Sequence, residues 1–217
     1  MRARPVSPTQ LVRLLAERVL AERDRRRRAG ATGALRVAVD GAPAATPAAL
    51  ADAVSSELSS LGAASIRVTS QDFLHSASLR LERGREDPDA FYEDWLDVPA
   101  LLREVLSPLG PQGNGRYLPS RWDATRDRAT RATYRAAPEA AVLLVDGTFL
   151  LGRGLPWDDS VHLALSPAGL ERRTPEAERW TLPAFARYER EVDPVSVAGM
   201  VLRVDDPRHP ALVETTA

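Results

Sequence analysis

The sequence predicts an α/β fold built on a parallel sheet, and three observations predict it. Short apolar strand segments alternate with helical ones along most of the chain, which is the pattern of strand–helix–strand crossovers rather than of hairpins. Residues 141–145 are apolar at every position, without alternation, as a parallel strand covered on both faces must be. Aspartates follow three of the strand segments, at Asp40, Asp72 and Asp146, and open α/β sheets hold ligands beyond the carboxyl ends of their strands.

The first helix has readable punctuation. Ser7 can cap it, Pro8 suits its first position and Gln10 completes a capping box. Leu11, Leu14, Leu15 and Val19 then share one face. The helix runs into Arg25, Arg26, Arg27 and Arg28 and stops at Gly30 and Gly33. That cluster reads as a solvated helix end that complements the C-terminal dipole. Leu35, Val37 and Val39 mark the first strand, followed by a turn at Asp40 and Gly41 and an alanine-rich helix over 47–61. Ile66 and Val68 mark the second strand, which ends at Ser70, Gln71 and Asp72. A polar, charge-rich stretch over 76–97 precedes a helix over 98–106 and a loop rich in proline and glycine. Further strands are expected at 141–145, 161–165 and 201–204, with no internal repeat. The expected organisation is an N-terminal helix and arginine-rich segment over 1–33, then an α/β domain over 34–217.

Composition excludes several kinds of chemistry. With 217 residues, 44% of them hydrophobic and 27% charged, the chain can bury the core of one domain. Its formal charge of -1 lacks the basic surplus that gripping a nucleic-acid backbone needs, so no nucleic-acid partner is expected. Cysteine is absent, which removes thiolate ligands and nucleophiles. All 29 basic residues are arginine, so there is no lysine to form a Schiff base or bind phosphate. No apolar run approaches the roughly 20 residues that span a bilayer, and Arg13, Glu17 and Arg18 interrupt the first apolar stretch. A cytoplasmic chain without a membrane partner is expected; homo-oligomerisation is left open.

The runs "VAVDG", "SQDFLH", "RGREDPDAFYEDWLD", "GRYLP" and "AVLLVDGTFLL" follow one another in this chain. In order and spacing they resemble the uridine kinase-like branch of the P-loop nucleoside kinases, over most of the chain from Leu35 onward. The resemblance implies a three-layer α/β fold, the P-loop NTPase-like type of the nucleoside kinases, with a five-stranded parallel sheet. It implies transfer of a γ-phosphoryl group from Mg-ATP to a nucleoside 5′-hydroxyl. Carried over by position, Asp72 corresponds to the carboxylate that accepts the proton of that hydroxyl, a role suited to orienting the nucleophile. Glu86 corresponds to the acid that binds ribose hydroxyls, and His75 and Tyr117 to positions around the base. Trp122 falls near where the family often has histidine; an indole stacks well but offers one donor. Arg172 and Arg173 correspond to the arginine-bearing lid, and Asp146 to the acidic residue near the metal.

The donor loop departs from that pattern. A P-loop reads GxxxxGK[ST]: its glycines let backbone amides wrap phosphates, the lysine neutralises their oxygens and the hydroxyl holds Mg²⁺. The aligned stretch is Gly41-Ala42-Pro43-Ala44-Ala45-Thr46-Pro47-Ala48. Thr46 stands for the second glycine, Pro47 for the lysine and Ala48 for the hydroxyl residue. A side chain at 46 resists positive φ, proline deletes an amide donor and alanine offers a metal nothing. Thr46 and Pro47 also read as an ordinary helix entry, threonine capping and proline at the first position. One cationic group alone can be worth about 10³–10⁵ in phosphoryl-transfer rate.

The leading expectation is therefore a uridine kinase-like pseudokinase with a retained nucleoside-type pocket, and no tightly bound cofactor. The rival is an active nucleoside kinase that uses Mg-ATP through a rebuilt donor site of arginines, with Arg153, Arg172 or Arg173 as candidates. Two further readings are a recruited enzyme using Asp72 as base, and a partner-binding role for the N-terminal helix.

Overall fold

The computed structural model describes residues 2–214; Met1 and residues 215–217, at the outer ends of the two expected segments, lie outside the described residues. In chain order the elements are β1 (Arg2–Pro5), α1 (Pro8–Arg28), β2 (Leu35–Gly41), α2 (Pro47–Ser60), β3 (Ser65–Thr69), α3 (Ala77–Arg80), α4 (Pro88–Glu93) and α5 (Val98–Leu101). Four two-residue strands follow, β4 (Arg116–Tyr117), β5 (Trp122–Asp123), β6 (Arg128–Ala129) and β7 (Arg135–Ala136). The chain ends with β8 (Val142–Gly147), β9 (Asp159–Ala164), α6 (Pro167–Arg173), α7 (Leu182–Glu191), α8 (Pro194–Val197), β10 (Met200–Arg203) and β11 (Ala211–Glu214).

Five strands form the expected parallel sheet, in the order β3-β8-β2-β9-β10. Two antiparallel strands that sequence reasoning missed, β11 and then β1, extend it beyond β10. Their four residues each are too short for a period-2 pattern to show, and Pro5 is tolerated because β1 is an edge strand. Strands β2 and β8 are buried at every position. Val37, Val39, Val142 and Leu144 face a core shared with Leu11, Leu15 and Val19 of α1 and Val54 and Leu58 of α2. Ala38, Leu143 and Val145 face the opposite core, closed by Leu101 of α5 and Phe185 and Tyr188 of α7. Successive side chains of a strand point to opposite faces, so two helical layers cover one sheet. Among the described residues no helix is long and apolar enough to cross a membrane.

Helix α1 starts as its sequence dictates, with Ser7 and Gln10 forming the reciprocal capping box. Its arginine cluster is more than a solvated end. Arg25 pairs with Glu22, while Arg26 reaches the buried carboxylate of Asp158 at 2.8 Å. Arg36 of β2 grips the same carboxylate with two bonds of 3.0 Å. The segment over 1–33 is thereby tied to the sheet by packing and by charge. The helix expected over 98–106 is α-helical only to Leu101 and continues as a π turn over Leu102–Leu106.

Candidate functional site

The loops at the carboxyl ends of β2, β3 and β8 form the candidate site, and its three aspartates have different fates. Asp40 ends β2, fully buried (0% exposed). Its Oδ1 accepts the Leu150 amide at 2.8 Å, and its Oδ2 accepts the Tyr188 hydroxyl at 3.0 Å and lies 2.7 Å from Nδ1 of His162. Burial, then the Asp40 charge, pushes the Tyr188 phenol far above its ordinary range. Asp146 ends β8, with Oδ1 accepting from Arg67 at 2.7 Å and Oδ2 from Thr69 at 3.0 Å. The carboxylate expected near a metal is instead neutralised by an arginine. Among the described residues no three or more His, Asp or Glu side chains form a group that could hold a metal ion.

Asp72 is the open one. It sits half-buried on the 3₁₀ turn Ser70–Phe73 after β3. Burial raises its carboxyl above the usual range, the Ser120 hydroxyl pulls it back down, and the charges of Asp123 and Asp146 push it further up. A carboxyl that holds its proton more readily suits general-base work near neutrality. The turn lies close on β8 because residue 147 is glycine: a Cβ there would come within 1.9 Å of the Ser70 hydroxyl.

Against the start of the Ser70–Phe73 turn runs an aromatic-walled cleft of about 480 Å³, lined by Ser70, Gln71, Phe91, Trp95, Trp180 and Phe185 among others, while Asp72 itself is not one of its lining residues. Phe91 meets Trp95, Phe149, Trp180 and Phe185 at ring-centroid distances of 5.0, 5.3, 5.6 and 6.0 Å. Trp180 and Phe185 come from beyond β9, where sequence reasoning saw no pocket; their signal lies in tertiary placement alone. Arg153 also lines this cleft, but its guanidinium donates to the carbonyls of Phe149 (2.7 Å) and Tyr92 and lies over the Tyr92 ring.

The other expected acceptor residues do not converge on this cleft. His75 stands outside it, with Nδ1 3.7 Å from Asp97. Tyr117 is buried in the core, and Glu86 is exposed. Trp122 lies on the β5–β6 hairpin and its indole donates to Asp127 at 3.1 Å. Of the lid pair, Arg173 donates to the Val204 carbonyl at 2.6 Å, while Arg172 is exposed.

The donor loop corrects one expectation and deepens another. Thr46 does not cap α2: its hydroxyl donates to the Ala45 carbonyl at 2.7 Å and makes no cap bond. It sits at φ 58°, ψ 51°, the left-handed conformation a glycine would favour. A threonine thus holds the backbone geometry of the absent glycine. Two of the loop's amides are consumed internally. Ala45 N–H donates to the Ala42 carbonyl at 2.8 Å and Thr46 N–H to the Pro43 carbonyl at 2.9 Å, closing a 3₁₀ turn over Pro43–Ala45. Pro43 and Pro47 carry no amide hydrogen. Gly41 packs closely on β9, where a Cβ would meet Leu163 Cβ at 3.1 Å, a few tenths of an ångström inside ordinary contact. Pro47 is buried in the first turn of α2, and Ala48 follows it with no polar group.

A second cavity of about 490 Å³ lies on the other side of Ala42 and Thr148, bounded by α6 and α7. His162 lines it, and His162 Nε2 is buried without a hydrogen-bond partner. An unpaired buried polar atom costs about 1–3 kcal/mol.

No family model matches the chain, and no curated protein sequence matches it. Solved structures do match. A possible uridine kinase from Bacillus stearothermophilus superposes with a TM-score of 0.69 at 18% identity, covering 88% of this chain and 96% of that one. A protein described as a fructose transport system kinase from Silicibacter sp. TM1040 gives 0.54 at 26% identity, over 72% and 80% of the two chains. D-glycerate 3-kinase from Cryptococcus neoformans gives 0.58 at 15% identity, over 83% and 80%. The parallel strand order and these likenesses together give the chain the P-loop kinase-type fold.

Proposed function

We propose that this chain binds a nucleoside-like small molecule in the aromatic cleft against the Ser70–Phe73 turn and does not carry out ordinary phosphoryl transfer from Mg-ATP. The observation that carries the second half is the donor loop. Two of its amides are bonded to its own carbonyls, two of its residues are proline and no lysine exists in the chain. Of the eight residues Gly41–Ala48, Pro43, Ala45, Thr46 and Pro47 therefore offer a triphosphate no free amide donor, and the chain offers it no compact cation.

The first half is supported by the cleft. Its volume of about 480 Å³ falls within the range of small-molecule sites. Trp95, Trp180 and Phe91 present aromatic edges and faces suited to stacking on a planar ring. Ser70, Gln71, Thr181 and Glu178 supply the few polar groups that orient a ligand. Asp72, with its raised carboxyl, follows the lining residue Gln71 in the chain but does not itself line the cleft.

One observation favours the rival, active-kinase reading: Arg172 is exposed at the end of α6. An arginine-based donor site would draw on it, because Arg153 and Arg173 are tied to backbone carbonyls. Isothermal titration separates the readings. A panel of nucleosides should bind while Mg-ATP gives no heat into the millimolar range. Micromolar Mg-ATP affinity, or phosphate transfer to a nucleoside from any donor, refutes the proposal.

A further inference from the structure

The second cavity is built differently from the cleft, around a histidine on the central sheet. His162 of β9 lies in register with Asp40 of β2. It is 4% exposed, and its Nδ1 is 2.7 Å from the Asp40 carboxylate. That carboxylate already accepts from the Leu150 amide and the Tyr188 hydroxyl. Nδ1 therefore carries the proton that faces the carboxylate, and in the singly protonated ring that would leave Nε2 as a lone-pair acceptor. Nothing in the described protein donates to it. A leucine or phenylalanine would fill the same space without leaving a polar atom unpaired, so the histidine is explained neither by packing nor by the bond to Asp40 alone.

The walls define what could satisfy it. Leu163, Leu165, Leu170, Leu182 and Phe185 supply apolar surface. Glu171 and Glu189 stand at the exposed rim, and the lining contains no arginine. Anions, phosphates included, are disfavoured there, in contrast to a site for a nucleotide.

We infer that this cavity is a separate binding site for a small, uncharged, largely apolar molecule that carries one hydroxyl or N–H group and donates it to His162 Nε2. Nε2 is buried, so a donor reaches it only as the surrounding lining yields slightly. Asp40, which does not line the cavity, is a positioning residue that holds the ring's orientation, while Tyr188 both donates to Asp40 and lines the cavity.

Phenol and toluene test this directly, being alike in size and differing in the donor. Long-range proton–nitrogen NMR of the whole chain resolves the ring nitrogens, and the buried His162 differs from half-buried His75 and exposed His209 by a slowly exchanging Nδ1 proton. Phenol should move the His162 Nε2 signal and bind about fivefold more tightly than toluene, the worth of one neutral hydrogen bond. Ala186→Phe, a change on the exposed rim of the cavity, should abolish the phenol response without disturbing the core. His162 signals that stay unmoved in phenol, equal affinity for the two compounds, or a phenol response that survives in A186F would each overturn the inference. The indole signals of Trp95 and Trp180 report separately on binding in the neighbouring cleft, so a failure here and a failure of the nucleoside reading are distinguishable.

Discussion

Replacing Thr46 by glycine should stabilise the protein, although the residue stands where a helix cap would be expected. At φ 58°, ψ 51° the threonine Cβ crowds the backbone, at a cost of about 1–2 kcal/mol in the left-handed region. Glycine relieves that crowding but brings about 0.5–1 kcal/mol of extra conformational entropy in the unfolded chain. The hydroxyl bond lost, to the adjacent Ala45 carbonyl, is local and only partly buried, so water replaces most of it. The balance is a gain of about 0.5–1 kcal/mol, or a melting temperature higher by roughly 1–4 °C for a chain of this length. An ordinary capping threonine behaves in the opposite way: glycine costs a few tenths of a kcal/mol and alanine about 1 kcal/mol. Urea titration of wild type, T46G and T46A separates the two patterns. A T46G protein less stable than wild type by 0.5 kcal/mol or more, with T46A losing about 1 kcal/mol, would refute the strained-loop reasoning. T46G alone should still fail to bind Mg-ATP, because Pro43 and Pro47 remain without amide hydrogens.

Asp158→Ala should destabilise by about 3–5 kcal/mol in urea, since it leaves the buried Arg36 guanidinium unpaired; Arg26→Ala, which removes the more exposed partner, should cost far less. Alkaline pH should weaken the fold through Tyr188. Its phenol is held protonated in the native state by burial and by Asp40, whereas the unfolded side chain ionises near pH 10. This contribution is fully present below about pH 10 and is lost as pH rises above it, at about 1.4 kcal/mol per pH unit. Tyr188→Phe should flatten that slope, as measured by chemical denaturation between about pH 9 and pH 11; an unchanged slope in Y188F would exclude Tyr188 as its source.

Much of the sheet was legible because each parallel strand carries its own signal. Residues 141–145 are buried and read as a continuous apolar run; β1 and β11, four residues each at the sheet's antiparallel edge, carry no such pattern. The capping box of α1 was legible for the same reason, since Ser7, Pro8 and Gln10 settle their geometry among themselves. Thr46 shows where local reading stops. Threonine before proline is compatible with an extended cap or, at higher energy, with the left-handed region, and the choice between them is made by the turn over Pro43–Ala45 and by the packing of Gly41 on Leu163. The cleft was illegible in a different way. Phe91, Phe149, Trp180 and Phe185 come from four separate stretches of chain, and none of them has a spacing that marks it as a wall rather than as core.

The three aspartates show how much the same sequence signal can conceal. Each stands at the carboxyl end of a strand, Asp40 and Asp146 as the last residue but one of β2 and β8 and Asp72 in the turn after β3, at the sheet edge that the fold uses for ligands. What distinguishes them is the company supplied from far along the chain. Asp40 meets His162 and Tyr188, residues 122 and 148 positions away. Asp146 meets Arg67, 79 positions away. Both are thereby committed to holding the protein's own groups in place. Asp72 has no arginine, and the nearby charges that act on it are the carboxylates of Asp123 and Asp146. A carboxylate in use as a strut is surrounded by donors, whereas one kept for an incoming hydroxyl must be left short of them. By that criterion Asp72 differs from the other two edge aspartates, its carboxyl being raised first by burial and then by its neighbours' negative charge, against the one Ser120 bond that lowers it.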